Sequence, residues 1–555
     1  MKKNIKYIIP MVLAPVALVS CQDFLNLESK VEITGHYLTT ADGIQREAAS
    51  LYYFERQSVT HDDAKVYCAH MLDSQTDIVF FRTSTAANIF RCLLTSEDSV
   101  VESFWEHFYK IIGKANEVIA NAEEYGLDDP AVKTAWGEAK FFRGRSYFEL
   151  WKRFERLYLN TLPTTIDNLD RDYSPSEKEA IFQVVKQDLD DAIEALSWEL
   201  PAGGEGLQYG RVTKAVAKHV RAQVAMWEDD WQTVIDHCED IFTKSNGLYG
   251  MEAKLEDVFL QGENLRSKEV LWALQFSKNL GGGGSGVPLD GHVVSKITTS
   301  QYRKISGCIP STDQGGYGWG RIFPNQYLLD LYEETDTRYN TMFKHEYYYN
   351  DPDFDYSNKD FAYGDVIKPE TPDGDYANAL HPMSKKFFDQ WTNADLPERA
   401  SSFRDLILYR MGETSLMLCE AYFHQANGNS SSNYDANKGF VCSDANALYY
   451  YNKTYERAGN TAKTSITIDD IVDEYARECN FEGVRWPMLK RMGILAERVK
   501  AYSGETTAEV PYLDTNYDEA RVNFVEGKHE RWPIPNNQIL LMGGHAVFPQ
   551  NEEWD

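Results

Sequence analysis

The chain has 555 residues, 43% of them apolar and 25% charged, with 56 Lys and Arg against 85 Asp and Glu for a net charge of −29 at neutral pH. That length and balance supply a sizeable core and exclude a disordered, collagen-like or multi-span membrane chain. The acidity, with no basic cluster anywhere, excludes a protein built to hold a phosphate backbone, so no nucleic-acid partner is expected.

Lys2, Lys3 and Lys6 precede an apolar run from Tyr7 to Val19. This run is too short to cross a bilayer core of ~30 Å as a helix, and it reads as residues 1–20 of a signal peptide. It ends in Leu18-Val19-Ser20-Cys21, which resembles a bacterial lipobox and makes Cys21 the acylated residue of the mature chain. Removing residues 1–20 takes three Lys away and moves the net charge from −29 to −32. No later segment has 18 uninterrupted apolar residues, so membrane attachment rests on the acyl chains alone. The other cysteines are Cys68, Cys92, Cys238, Cys308, Cys419, Cys442 and Cys479, an odd number without a C-x-x-C pair. We therefore expect no zinc site and no essential disulfide framework, with a Cys68–Cys92 pair left open.

Helical periodicity starts at Phe104 and runs to Tyr125, with Phe104, Phe108, Ile111, Ile112, Ala115, Val118, Ile119 and Ala122 on one stripe and Gly126 as the stop. Asp129-Pro130 opens a second helix that carries apolar residues on more than one face and must be packed from two sides. A third is predicted over about Ser176 to Leu200, with Ser176 and Glu179 spaced as a capping box. Thr213 to Lys244 then divides at Glu228-Asp229-Asp230 into a helical hairpin resembling a tetratricopeptide unit. Its close approach falls at Ala222 and Ala225, facing a strip of Trp231, Val234, Ile235 and Cys238. Leu408–Ala426 and Asp444–Gly459 form a second such pair. One hairpin cannot hide its own apolar stripe, so the two must share a core.

Residues 255–400 change character. Val270-Leu-Trp-Ala-Leu-Gln-Phe-Ser reads as a short strand, Gly281 to Gly286 as a flexible loop and Gly315-Gly-Tyr-Gly-Trp-Gly-Arg-Ile-Phe as a glycine-aromatic loop. The glycine tract lacks a following Gly-Lys-Ser/Thr, and Val287 breaks a G-x-S-x-G elbow. There is no H-E-x-x-H. Asp351, Asp353 and Asp355 begin like a calcium loop, but Tyr356 and Ala362 stand where Gly and Glu are required. His61, Cys68 and His70 fit no zinc spacing. No metal, cofactor or catalytic residue is assigned. Of Tyr347, Tyr348 and Tyr349, at least one should pack inward, since successive side chains cannot share a strand face.

The start Cys-Gln-Asp-Phe-Leu-Asn, the helix Glu138–Phe154, the hairpin from Arg211 to Cys238, Phe403–Ala421, Arg477–Gly493 and Arg531–Ile539 together resemble the SusD/RagB family, in the family's order and across essentially the whole mature chain. Cys419, Pro487 and Met488 depart from its pattern. The resemblance implies a mainly α fold, a single SusD-like domain over 21–555. Tetratricopeptide-like helix pairs at about 36–250 and 403–500 form its scaffold, and a loop-rich ligand portion with short strands lies at about 255–400, followed by the C-terminal segment 501–555. It also implies a lipid-anchored, surface-exposed protein of the outer membrane. Such a protein binds glycan and works with a SusC-like TonB-dependent transporter; it is not an enzyme. Peptide uptake of the RagB type is the alternative, and a glycoside hydrolase the remote third.

A sugar is held by rings that take its C–H faces and by planar polar side chains that take its hydroxyls. Two loops supply these groups: Phe80, Phe81, Arg82, Asn88 and Phe90 from the first, Tyr317, Trp319 and Arg321 from the second. Trp319, with glycine on both sides, leads the set.

Overall fold

The structure is a computed structural model that describes residues 35–60, 64–82, 87–168, 171–203, 206–207, 209–260, 267–276, 291–370, 376–389, 402–428 and 430–555. The signal segment, Cys21, His61 and the glycine tract 281–286 lie outside the described residues. We number the longer helices α1 (Ala41–Thr60), α2 (Ser99–Tyr125), α3 (Pro130–Phe154), α4 (Lys178–Ala195), α5 (Lys214–Met226), α6 (Trp231–Lys244), α7 (Met411–Asn427), α8 (Ala445–Tyr455), α9 (Ile468–Cys479) and α10 (Leu495–Tyr502). The strands used below are β1 (Val79–Phe81), β2 (Val270–Leu274), β3 (Ile322–Pro324) and β4 (Leu406–Arg410). The protein is mainly helical, with the strands in short two-stranded pairs.

Local chemistry explains the helix ends. The stripe read in α2 is the buried one, and Gly126 ends it at φ 106°, in the region glycine favours. Asp129 caps α3 by accepting from the Ala131 and Val132 amides at 2.8 and 3.4 Å, with Pro130 in the first turn. α3 is buried along its whole run from Gly137 to Phe154, because α2 packs on one side and α4 on another. Its charged residues are tolerated there through ion pairs, Arg143 with Asp188 at 2.7 Å and Arg145 with Glu55 at 2.9 Å. Gly144 lets α4 approach: a Cβ would stand 3.1 Å from the Val185 carbonyl.

Two expectations need correction. α4 starts at Lys178 and ends at Ala195 with no side-chain cap; the Ser176 hydroxyl instead accepts from the Leu159 amide, at 3.1 Å, where an isolated bridge joins Leu157 to Ser176. The helix begins after Glu177, which leaves Ser176 one residue outside the cap position. The capping box occurs at Thr467 and Asp470, ahead of α9. Leu408, Tyr409 and Arg410 belong not to a helix but to β4, which pairs antiparallel with β2. The strand Val270–Leu274 stands where its apolar run indicated.

Neighbours pack in sequence, α1 on α2, α2 on α3, α3 on α4, α4 on α5 and α5 on α6; α6 then packs on α7, and α7 on α8 and α9. The two hairpins thus share one apolar cluster, in which Ala222, Ala225, Trp231, Val234 and Cys238 meet Leu416, Cys419, Tyr451 and Ile471. A third cluster, with Phe80, Tyr302, Phe323, Tyr347 and Met383, fills the loop-rich part.

The landmark Arg477–Gly493 proves to be the tie between helices and loops. Arg410 meets Glu269 at 2.9 Å, Glu478 at 2.7 Å and Glu482 at 2.5 Å, and Arg338 meets Asp336, Glu474 and Glu478 at 2.7–2.9 Å, all buried. Multiple charged hydrogen bonds offset the desolvation of these guanidiniums. Pro487 sits in the first turn of the helix Arg485–Arg491, where its missing N–H has no intrahelical use, and Met488 is buried. Cys419 is buried in α7, and all seven described thiols are free, so Cys68 and Cys92 form no bond. Among the described residues no helix is long and apolar enough to cross a membrane, and no group of three or more His, Cys, Asp or Glu could hold a metal ion.

Candidate functional site

The two loops singled out by their rings lie side by side. β1 pairs antiparallel with β3, Val79 opposite Pro324, Phe80 opposite Phe323 and Phe81 opposite Ile322, and the Arg82 amide extends the ladder to the Arg321 carbonyl at 2.9 Å. Two buried anchors hold this pair. Asp77, just before β1, receives Arg485 at 2.5 Å and Arg498 at 2.9 Å. Asn325, just after β3, donates to the Asp77 and Tyr502 carbonyls at 2.7 Å each and caps the following turn by accepting from Leu328 at 3.0 Å.

The alternation of β1 sends its rings to different places. Phe80 is sealed in the third cluster, stacked on Phe323 and His381 with centroids 5.9 and 4.6 Å away. With 0% of its surface exposed it offers no face to a ligand, which removes it from the candidate set. Phe81 and Phe90 stack on each other, centroids 4.5 Å apart and planes 7° from parallel, and both are largely covered. Asn88 is exposed, and its amide donates to Asp98 at 2.8 Å. Arg82, beside Arg321, is half-buried.

The second loop lies against the short helix Val294–Thr298 through its backbone. The Trp319, Gly320 and Arg321 amides donate to the carbonyls of Lys296 at 2.7 Å, Thr299 at 2.7 Å and Ile297 at 3.0 Å. Gly318 is required by this contact, since a Cβ there would stand 2.1 Å from the Ser300 oxygen and 2.3 Å from that of Thr299. From below, the Tyr302 hydroxyl accepts from the Ser311 amide at 2.7 Å and donates to the Gly316 carbonyl at 3.1 Å. Burial pushes that phenol up to about 12 and keeps it a donor.

Tyr317 and Trp319 are both half-buried, and cations cover them. The Arg303 guanidinium lies 3.7 Å from the Tyr317 centroid; the Lys296 ammonium is 4.6 Å from Tyr317 and 4.9 Å from Trp319; the Arg321 guanidinium is 4.3 Å from Trp319. The result is a ladder, Arg303, Tyr317, Lys296, Trp319, Arg321. The indole of Trp319, flanked in sequence by glycines, is a ring set between cations. Lys296 and Arg303 carry no pattern that marks them in the sequence: they come from a different segment and meet the rings only through the fold. Nearby, burial and then Lys385 hold the Lys344 ammonium below its ordinary value. Of the neighbouring tyrosines, Tyr347 and Tyr349 pack inward while the Tyr348 hydroxyl turns to Glu346 at 3.1 Å.

An array of packed helical hairpins joined to a portion of loops, rings and cations defines the class: a helical scaffold protein whose irregular segments are gathered onto it. The family model described as SusD family matches residues 268–554, more than half of the chain. This chain belongs to the SusD family. A SusD-like protein of Bacteroides ovatus is 27% identical over 419 residues, 71% of this chain and 66% of its own length. Among solved structures, a SusD homolog from Bacteroides thetaiotaomicron superposes with a TM-score of 0.72 at 18% identity, covering 93% of this chain and 98% of that one. A laminarin-binding SusD-like protein superposes at 0.69 and 17% identity, covering 92% and 99%.

Proposed function

We propose that this protein captures glycan at the cell surface without cleaving it and delivers it to a SusC-like TonB-dependent transporter, tethered to the outer membrane through Cys21. Tyr317, Trp319, Arg321 and Arg82 form the centre of the ligand face, with Asn88, Phe81 and Phe90 at its margin. The observation that supports the reading is the β1–β3 pairing, which brings both candidate loops side by side. A structural neighbour that is itself a laminarin-binding protein supports the ligand class.

Affinity electrophoresis in gels containing different polysaccharides tests it. At least one polysaccharide should retard the protein, and Trp319→Ala should weaken that binding by about 1–3 kcal/mol, as loss of an anchoring aromatic does. Retardation by none, together with capture of peptides, would replace glycan by peptide as the cargo. Reducing ends released on prolonged incubation, and lost on a single carboxylate substitution, would make the protein a hydrolase.

A further inference from the structure

Resting on that reading, we infer that the ladder selects anionic sugars, those carrying a carboxylate or a sulfate. The chain as a whole carries −29, so a face where Lys296, Arg303 and Arg321 converge on two rings runs against its composition. The arrangement also changes what a ligand can touch. A neutral sugar stacks by laying its C–H face on an aromatic face. Here cations stand 3.7–4.9 Å from the Tyr317 and Trp319 centroids, in the space such a sugar would occupy.

A guanidinium stacked on a ring keeps its N–H donors in its own plane, directed past the ring edge, in the fork that fits two oxygens of a carboxylate or sulfate. Arg303 is the leading donor. It has no ion pair within 4.0 Å among the described residues, and its Nε is buried with no hydrogen-bond partner. The aromatic rings hold these cations in place, which lowers the entropy lost when an anion arrives. Asp313, the carboxylate on the same loop, is exposed, and its charge acts on Tyr302 and Lys344. The face therefore provides fixed positive charge and planar donors.

The test is calorimetric titration with matched pairs: a uronate-bearing polysaccharide against its carboxyl-reduced form, and a sulfated one against its desulfated form. At least one acidic member should bind about tenfold or more tightly than its neutral counterpart, the size of one lost charged hydrogen bond. Which pair shows the difference separates carboxylate from sulfate. Raising NaCl from 0.05 to about 0.5 M should shrink that advantage. Arg303→Gln should remove it with the melting temperature unchanged, and Arg303→Lys, which keeps the charge but not the fork, should retain part of it. Equal binding of acidic and neutral members, or neutral glycans alone, would overturn this inference and leave glycan capture standing. Binding of no glycan at all would overturn both.

Discussion

At the scale of single residues, Gly318 shows how little space decides the site. Its backbone passes against the Thr299 and Ser300 carbonyls, where even a methyl group would stand 2.1–2.3 Å from oxygen. Gly318→Ala should force the loop away from the helix Val294–Thr298, breaking the 2.7 Å bond from the Trp319 amide to Lys296. We expect a stability loss of about 1–3 kcal/mol together with weakened ligand binding, measured by urea unfolding and titration on the same sample. An alanine variant with wild-type values in both would show that the loop does not depend on this contact. Glycines between aromatics were legible in the sequence as a loop signal. What they do was not, because the groups they avoid lie near 299–300, on another segment. Phe80 makes the same point in reverse: one register position from Phe81, it faces a different side of the β1–β3 pair and is lost to the core.

At the scale of elements, amphipathic stripes and caps were readable wherever they act locally. The α2 stripe, Gly126 and the Asp129-Pro130 start depend only on residues within a turn or two. Ser176 failed as a cap because the helix starts one residue later, after Glu177, while its hydroxyl accepts from an amide 17 positions away. Trp231 is the element-scale residue whose role depends on partners far along the chain. It opens α6, is 4% exposed, stacks on His424 of α7 with centroids 4.1 Å apart, and donates its indole N–H to the Ser430 carbonyl. It therefore couples the first hairpin to the second. Trp231→Ala should cost about 3–5 kcal/mol, the range for deleting a large buried ring, seen as a lower urea midpoint. A loss below about 1 kcal/mol would mean that α6 and α7 hold together without it.

At the scale of the whole molecule, the proposed membrane tether is a single residue, Cys21, at the start of the mature chain. Cys21→Ala should leave the melting temperature and ligand affinity unchanged but move the protein from the membrane fraction to the soluble fraction on cell fractionation. Retention in the membrane pellet would place the anchor elsewhere. The amino-acid sequence by itself determined the helical class, the hairpins and the family, because apolar periodicity, caps and ordered landmarks are encoded within short stretches. The tertiary structure alone decided that β1 meets β3, that Phe80 is buried and that Lys296 and Arg303 come to lie over Tyr317 and Trp319. Those outcomes depend on side chains tens to hundreds of positions apart competing for the same space and charge, and no local pattern records which of them will meet.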